Sequence, residues 1–299
     1  MKKAFSIFVF TALALFTHTS FADSVIGSTD SFQSIQKMIS SAAHPEHWLV
    51  VIDDDDTLTR MPCVSENHCQ YLGGVAWFNW QAAMKPDNPA RVARSFPDLV
   101  RVTDFLLSTH DAPLTESDIP ATLTLAHQRG VHILVLTARG SELIPATERQ
   151  FSQDGILSLV EKDAPQSPVG QISFAGDYLP AKIPELKTNR PIAYQDGILY
   201  VAGQNKGFML KGFLEKMHDA KQFTHLVFLD DTFQNVKDVA SVYKNTKNVQ
   251  VISLHYLRMQ KHKAAFLTGK NAKKLQAEAT EDWQNFRAVA KKDLPGFSL

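Results

Sequence analysis

The chain contains one stretch that decides its fold, Leu49-Val50-Val51-Ile52-Asp53-Asp54-Asp55-Asp56-Thr57-Leu58. Its first four residues are apolar and rich in β-branched side chains, a pattern typical of a parallel strand buried on both faces. Four carboxylates follow at the strand's carboxyl end, where open α/β sheets place their ligand sites. In an arbitrary sequence, an acidic run is more often a solvated turn than a functional site. Here the strand before it, and Thr57-Leu58 after it, favour a functional site.

The acidic run predicts that its carboxylates have different chemical roles. If the chain stays extended, Asp53 and Asp55 point to one side and Asp54 points to the other. Two carboxylates on one side can share a Mg²⁺, and they can also divide the roles of nucleophile and acid/base.

Composition indicates an ordinary globular protein. The chain has 299 residues, of which 44% are hydrophobic, with 31 basic and 31 acidic side chains. This length suits one large α/β domain or a core with an insertion. No block of five or more basic residues occurs, so we expect no nucleic-acid partner.

Residues 1–22 have the pattern of a secretory signal peptide. Lys2-Lys3 precedes an apolar run over residues 4–16, and Ser20-Phe21-Ala22 offers small residues to a signal peptidase. The apolar run is short for an uncleaved membrane anchor, and no cysteine lies near the cleavage point to carry a lipid. We therefore expect a periplasmic or secreted protein without a stable membrane anchor.

The two cysteines, Cys63 and Cys69, lie six positions apart. Behind a signal peptide, an even pair at this spacing predicts a disulfide bond that closes a small loop. The sequence contains no histidine–cysteine cluster that would indicate a zinc site.

Strand and helix patterns alternate along the chain, which predicts a doubly wound parallel sheet of five strands. The strands are predicted at 48–53, 131–136, 171–175, 225–229 and 249–254, with a hairpin over 192–201 that turns at Asp196-Gly197. Helices are predicted at 31–41, 115–129, 141–154, 206–218, 235–243 and 271–292, and at 90–110 with an interruption near Pro97.

Residues 58–113 are predicted to be a mostly helical insertion after the first strand. The core domain would then comprise residues 23–57 and 114–299. We expect the aromatic residues of the insertion, Trp77, Phe78 and Trp80, to pack within it or against the core.

Three further polar elements lie at strand or helix ends. Thr137 closes one apolar strand, Lys206 opens a helix, and Asp230-Asp231, followed by Asn235, closes another strand. Each element alone is weak evidence for a functional site, because such residues commonly act as caps or face solvent. Lys211 competes with Lys206, but it lies on a different helix face.

Taken together with Asp53-x-Asp55-x-Thr57, these elements resemble the four motifs of the haloacid dehalogenase (HAD) superfamily over residues 48–254. The acidic run followed by residues 72–80 resembles, more narrowly, a group of secreted bacterial HAD-like proteins. The resemblance implies a Rossmannoid core, with residues 58–113 forming a C1 cap that closes over the site and selects the substrate.

The resemblance also implies catalytic roles. Asp53 would be the nucleophile that forms an aspartyl-phosphate, and Asp55 would be the general acid/base. Lys206 would neutralise the nucleophile and the phosphoryl group. A second acid at position 55 favours a phosphatase or phosphotransferase, because dehalogenases of the superfamily lack it and the ion-pump ATPases have threonine there.

Binding roles follow from the same resemblance. Phosphoryl oxygens would be held by Thr57, by Thr137 and by neighbouring amides such as that of Ala138, while Arg139 would either contact the substrate or simply face solvent. The Mg²⁺ ligands would be Asp53, the backbone carbonyl of Asp55, and Asp231, with Asp230 as the alternative. Asn235 would support these ligands from behind, at a position where many relatives carry an acid.

The expected function is that of an exported Mg²⁺-dependent phosphatase acting on a small phosphorylated substrate or a phosphoprotein. One alternative is a catalytically silent binding protein, although such a protein has no reason to keep Asp53, Asp55, Lys206 and Asp231. A phosphotransferase is the other, although phosphorylated sugars are scarce outside the cytoplasm. The sequence indicates no oligomeric state.

We predict that the mature protein begins at Asp23, because the signal peptidase pattern ends at Ala22. Mass spectrometry of the envelope fraction should find the N-terminal peptide that starts at Asp23. A soluble cytoplasmic pool with Met1 intact would contradict this prediction.

Overall fold

The computed structural model describes residues 24–65, 68–165, 190–216 and 222–299. These residues form an α/β fold in which a mostly parallel sheet of seven strands is flanked by helices. The predicted α/β class and the mostly parallel sheet are therefore confirmed. The predicted strand at 171–175 lies outside the described residues.

The strands, in chain order, are β1 Ser24–Thr29, β2 Trp48–Ile52, β3 Cys63–Ser65, β4 His68–Cys69, β5 His132–Thr137, β6 Ala193–Gln195, β7 Ile198–Tyr200, β8 His225–Asp230 and β9 Gln250–Tyr256. In space the large sheet runs β1-β9-β8-β2-β5-β7-β6, while β3 and β4 pair separately. Neighbours in the large sheet are parallel except for β6 and β7, which are antiparallel.

The helices are α1 Gln33–Ser41, α2 Val75–Ala82, α3 Phe96–Thr109, α4 Ile119–Arg129, α5 Ile144–Gln153, α6 Leu157–Lys162, α7 Lys206–Lys216, α8 Phe233–Tyr243, α9 Gln260–Leu267 and α10 Ala272–Asp293. Short 3₁₀ turns cover Pro45–His47 and Ser141–Leu143.

Strand β2 lies between β8 and β5, and it is buried on both faces as its sequence predicts. Leu49 and Val51 belong to the core that β2 shares with α7 and α8. Val50 and Ile52 belong to the core on the opposite face, with α1 and α4. Helices therefore cover both sides of the strand that leads into the acidic run.

The seven-stranded sheet contains four of the five predicted strands, the two strands of the predicted hairpin, and one strand, β1, that was not predicted. Strand β1 pairs in parallel with β9, with Ser24 opposite Val251. Half of its residues are polar, and no strand was predicted there. The β6–β7 hairpin forms as predicted, with positive φ angles of 50° at Asp196 and 80° at Gly197, which a two-residue type I′ turn requires.

Two proline positions explain where helix predictions were wrong. Pro97 does not interrupt a helix but lies in the first turn of α3, where Ser95 caps the helix by accepting from the Asp98 amide. Helix α4 likewise starts only at Ile119, with Pro120 in its first turn. Proline suits a first turn because its missing N–H has no helical partner there. Helices α6 and α9 were not predicted, and α2 was predicted only as part of a mostly helical insertion.

The insertion over residues 58–113 packs against helices α9 and α10. Trp77 is fully buried in an apolar cluster that also contains Phe266 and Trp283. Tyr71 stacks on His262 with the ring centroids 4.2 Å apart. The insertion and the helices that follow β9 therefore share one apolar core.

Cys63 and Cys69 form a disulfide bond, as predicted, across the β3–β4 hairpin. The bond is consistent with a location outside the reducing cytoplasm. Across the described part of the chain, no helix combines the length and apolar character needed to cross a membrane.

We predict that replacing both cysteines with serine lowers the free energy of unfolding by about 2 kcal/mol, because the bond restricts a short loop in the unfolded chain. Urea unfolding of the oxidised wild type and the double variant measures this difference. The reduced wild type is the control, and it should match the variant. Equal midpoints for oxidised and reduced protein would contradict the prediction.

Candidate functional site

The carboxyl ends of β2, β5 and β8 lie side by side in the sheet. This arrangement brings the acidic run after β2 next to Thr137 at the end of β5 and Asp230 at the end of β8. Lys206, the first residue of α7, reaches the same edge and pairs with Asp53. The structure thus brings together the residues that the sequence placed at separate strand and helix ends.

Asp53 is a buried carboxylate held in one orientation. Its backbone N–H donates to the Leu229 carbonyl at 2.9 Å. One carboxylate oxygen pairs with the Lys206 ammonium, and the other accepts from the Thr57 hydroxyl at 3.4 Å. Burial raises the pKa of Asp53 well above its usual value and the charge of Asp230 adds to this, while Lys206 opposes it.

Lys206 bridges two carboxylates from different strands. Its ammonium contacts Asp53 and lies 2.7 Å from Asp230 Oδ2. Burial alone would lower the pKa of Lys206, but the charges of Asp230 and Asp53 outweigh it and raise the pKa. Lys206 is therefore a fixed positive charge. The competing Lys211 lies elsewhere, in a small cavity beside Tyr243 and Val249.

Asp230 and Asp231 have different surroundings. The carboxylate of Asp230 accepts from the Thr232 amide at 2.8 Å and from the Asn235 side chain at 3.1 Å, in addition to Lys206. Asp231 pairs with the Lys263 ammonium, and its backbone N–H donates to the Thr57 hydroxyl at 3.1 Å. Asn235 therefore supports Asp230 directly, and Thr57 links the β2 and β8 ends.

Three carboxylates have the arrangement of a metal site. Asp53, Asp230 and Asp231 are buried, and each offers one oxygen atom such that all three atoms lie within 4.8 Å of one another. Clustered carboxylate oxygens are the ligands that Mg²⁺ takes in proteins. The side chain of Asp55 is not part of this group.

Asp55 lies on the Arg139 side of the site. The extended spacing assumed from the sequence does not persist, because β2 ends at Ile52 and Asp56 has a left-handed φ of 62°. Asp55 accepts two hydrogen bonds from the Arg139 guanidinium, at 2.7 and 3.0 Å. Burial tends to raise the pKa of Asp55, but Arg139 outweighs this effect and the pKa is lowered.

Asp54 is completely buried behind the site rather than exposed to it. Its Oδ2 lies 3.1 Å from Arg139 Nε, but that N–H is directed at Asp55, so the contact is an ion pair without a hydrogen bond. Its other oxygen accepts from the Thr59 hydroxyl at 2.7 Å. Burial raises the pKa of Asp54 to about 6, with Arg139 opposing.

The residues at the end of β5 are tied to the segment before α7. The Thr137 hydroxyl accepts from the Arg139 amide at 3.2 Å. The Ala138 carbonyl accepts from the Gly203 amide at 2.8 Å, and the Arg139 carbonyl accepts from the Ala202 amide at 3.0 Å. These bonds hold both loops at the edge of the sheet where Asp53 lies.

Sequence reasoning missed Lys263, which reaches the site from α9. Its ammonium contacts Asp231, and the charge of Asp56 also acts on it. No local pattern distinguishes Lys263 from the exposed Lys261 two residues earlier. Only the folded structure distinguishes the two, because Lys263 is buried and paired with Asp231 while Lys261 is exposed.

Six carboxylates, from residues 53–56 and 230–231, are compensated by Lys206, Lys263 and Arg139. Burial is the largest cause of the raised pKa of Asp53, Asp56 and Asp231. Because six carboxylates share three cationic side chains, a divalent cation bound beside Asp53 and Asp231 would favour their ionised forms.

The fold and the site define an α/β protein with a buried carboxylate–lysine centre at the carboxyl edge of a parallel sheet. The chain belongs to the family described as "Protein of unknown function (DUF2608)", whose model matches residues 28–292. Neither the curated proteins nor the solved structures include a match to the chain.

This family match corrects the assignment made from the sequence. The resemblance to the HAD superfamily, and to a secreted HAD-like group within it, is wrong as a statement of family, because the chain matches the DUF2608 family instead. The motifs behind that assignment are short. Aspartate, threonine and lysine at strand and helix ends also serve as caps and ion pairs, so these positions alone do not define a family.

We predict that Lys263→Met lowers the free energy of unfolding by about 3 kcal/mol, because it leaves the buried Asp231 without its counter-ion. Urea unfolding without added divalent cation measures this loss. Lys261→Met is the matched control, and this exposed substitution should change stability by less than about 0.5 kcal/mol. Equal losses in the two variants would contradict a specific role for Lys263.

Proposed function

We propose that this protein is a Mg²⁺-dependent phosphatase that cleaves phosphomonoesters through an aspartyl-phosphate on Asp53. The observation that supports this proposal most directly is the pairing of buried Asp53 with Lys206, next to Asp230 and Asp231. A carboxylate nucleophile needs fixed positive charge to approach an anionic phosphate group. Lys206 supplies one such charge within contact of the attacking carboxylate.

The donor set fits a magnesium ion. Asp53, Asp230 and Asp231 would hold it, because their oxygens converge and because these three carboxylates pair with only two lysines, Lys206 and Lys263. When bound, Mg²⁺ would neutralise charge on the phosphoryl oxygens and on Asp53. Asn235 and Thr232 keep the Asp230 carboxylate in place for this task.

Asp53 would attack phosphorus, and the bond from phosphorus to the leaving oxygen would break. Asp55 would give its proton to that oxygen and would later take a proton from the water that cleaves the aspartyl-phosphate. Arg139 keeps Asp55 ionised before substrate binds, which suits the second step. The negative phosphoryl group would raise the pKa of Asp55 on binding, which favours its protonated form for the first step.

We also propose that residues 58–113 form a cap over this site. Backbone contacts hold both ends of the insertion beside the acidic run, with Arg60 N–H donating to the Pro113 carbonyl at 2.9 Å. Helix α3 packs against the Ser141–Leu143 turn just after Arg139. There, burial and the neighbouring Glu142 raise the pKa of Asp104 to about 7. The substrate would enter between this helix and the sheet edge, with Thr137 and Ala138 near its phosphoryl oxygens.

The competing function is a binding protein without turnover. The paired state of Asp55 favours it, because both carboxylate oxygens of Asp55 already accept from Arg139. The two functions differ in whether phosphate is released from a phosphomonoester when Mg²⁺ is present.

We predict that Asp53→Asn abolishes Mg²⁺-dependent hydrolysis of an aryl phosphate, because an amide cannot act as the nucleophile. Asp55→Asn should also stop turnover, although aryl phosphate can still phosphorylate the enzyme since its leaving group needs no proton. Lys206→Ala should slow turnover by about 10²-fold or more. Steady-state phosphate release, with and without EDTA, measures all three.

Lys211→Ala is the matched control, since Lys211 lies outside the site, and it should retain wild-type turnover. Circular dichroism checks that each variant is folded. Wild-type turnover in Asp53→Asn would disprove the nucleophile assignment. A wild type that binds Mg²⁺ but hydrolyses no phosphomonoester would favour the binding protein.

A further inference from the structure

Gln150 on α5 connects the site to the insertion. Its side-chain oxygen accepts from Arg139 Nη1 at 2.8 Å. Its side-chain nitrogen donates to two backbone carbonyls at the end of α3, those of Leu107 at 2.9 Å and His110 at 3.1 Å. Gln150 is 1% exposed and Arg139 is 5% exposed, so these bonds are shielded from water.

The orientation of the Gln150 amide is fixed by its partners. The two carbonyls of α3 can only accept, so the amide nitrogen must face them and the oxygen must face Arg139. The amide is planar, so a displacement of the α3 end moves the oxygen that holds Arg139. Arg139 in turn holds Asp55 through two hydrogen bonds in a fork geometry.

We propose that Gln150 is a positioning residue for proton transfer by Asp55. Together with the Thr147 hydroxyl, which accepts from the same Arg139 Nη1 at 2.9 Å, it orients Arg139 and thereby Asp55, and it makes that orientation depend on where the end of α3 lies. This inference rests on the proposed phosphatase function. It assigns Gln150 no contact with the substrate, and it makes the insertion part of the device that aligns the acid/base group.

The neighbouring Arg149 separates this role from simple anchoring of α3. Its guanidinium also donates to α3 carbonyls, those of Ser108 at 3.2 Å and His110 at 3.1 Å. It is bonded to the same end of the same helix, yet its side chain pairs with Asp111 and makes no hydrogen bond to Arg139 among the described residues. A variant of Arg149 therefore weakens the anchoring while leaving the Arg139–Gln150 bond in place.

The test compares two substrates that differ in their need for a proton. The leaving group of an alkyl phosphate is a basic alkoxide that must be protonated. The leaving group of p-nitrophenyl phosphate is a phenolate that is stable without a proton. Rapid-quench measurement of alcohol or phenol release in the first turnover, with Mg²⁺ present, isolates the step in which Asp55 acts as an acid. The enzymes compared are the wild type, Gln150→Leu, Gln150→Glu and Arg149→Ala.

We predict that Gln150→Leu slows the alkyl phosphate about tenfold or more, because misplacement of a catalytic group by about 1 Å can cost up to about 10²-fold. The same variant should slow p-nitrophenyl phosphate less than about threefold, because that substrate does not use the acid. Arg149→Ala should slow the alkyl phosphate much less than Gln150→Leu does, because it loosens the end of α3 but leaves the Arg139–Gln150 bond in place.

Gln150→Glu separates the hydrogen bond that Gln150 accepts from Arg139 from the hydrogen bonds that it donates to α3. Glutamate still accepts from Arg139, but it cannot donate to the α3 carbonyls. It should therefore retain more of the alkyl phosphate rate than Gln150→Leu, while amide hydrogen exchange at the end of α3 becomes faster than in the wild type. If Gln150→Leu fails to fold, Gln150→Glu still tests the positioning role.

The outcomes distinguish the positioning role of Gln150 from the phosphatase function on which it rests. Equal slowing of both substrates by the Gln150 variants, or a selective loss in Arg149→Ala as large as that in Gln150→Leu, would overturn the positioning role alone. A wild type that releases neither alcohol nor phenol would overturn the phosphatase proposal, and this inference with it.

Discussion

Electrostatic repulsion between carboxylates is the constraint on which the rest of this structure depends. Asp53, Asp54, Asp56, Asp230 and Asp231 are all buried at one edge of the sheet. A buried charge without a partner costs several kcal/mol, more than most single interactions in a folded domain can offset. The fold must therefore bring cationic side chains to this edge from elsewhere in the chain.

Three separate elements meet that requirement. Arg139 follows β5, Lys206 begins α7 and Lys263 lies in α9, and each is directed at a different part of the acidic group. The placement of β2 between β5 and β8 makes this possible, because the parallel ends of adjacent strands leave their loops in contact. The order of the strands therefore determines which ion pairs can form, and the candidate chemistry depends on those ion pairs.

The sequence predicted those parts of the fold that depend on local pattern. The buried strand before Asp53, the turn at Asp196-Gly197 and the Cys63–Cys69 bond each follow from residues close together in the chain, and the structure contains all three. The proline at position 97 was misjudged because its effect depends on where the helix starts, which only the packed structure sets. The family assignment was wrong because short motifs at strand ends are common to many α/β proteins.

Long-range packing placed the residues that the sequence could not predict. Lys263 and Gln150 have side chains typical of a solvated helix face, and their burial depends on contacts with distant segments. Strand β1 has too few apolar residues to be recognised by itself, and it becomes a strand because β9 offers an edge. The direction of the Asp54 side chain likewise depends on Arg139, which lies far along the chain.

The position of Lys263 in the chain has a consequence for biosynthesis. Ribosomes add residues in order, so a growing polypeptide contains all its acidic site residues some thirty residues before the lysine that compensates Asp231 emerges. Closing β1 onto β9 also joins residues far apart in the chain, such as Ser24 and Val251, and such distant pairings form late because of their loop entropy. The acidic edge therefore lacks one of its counter-ions until late in synthesis.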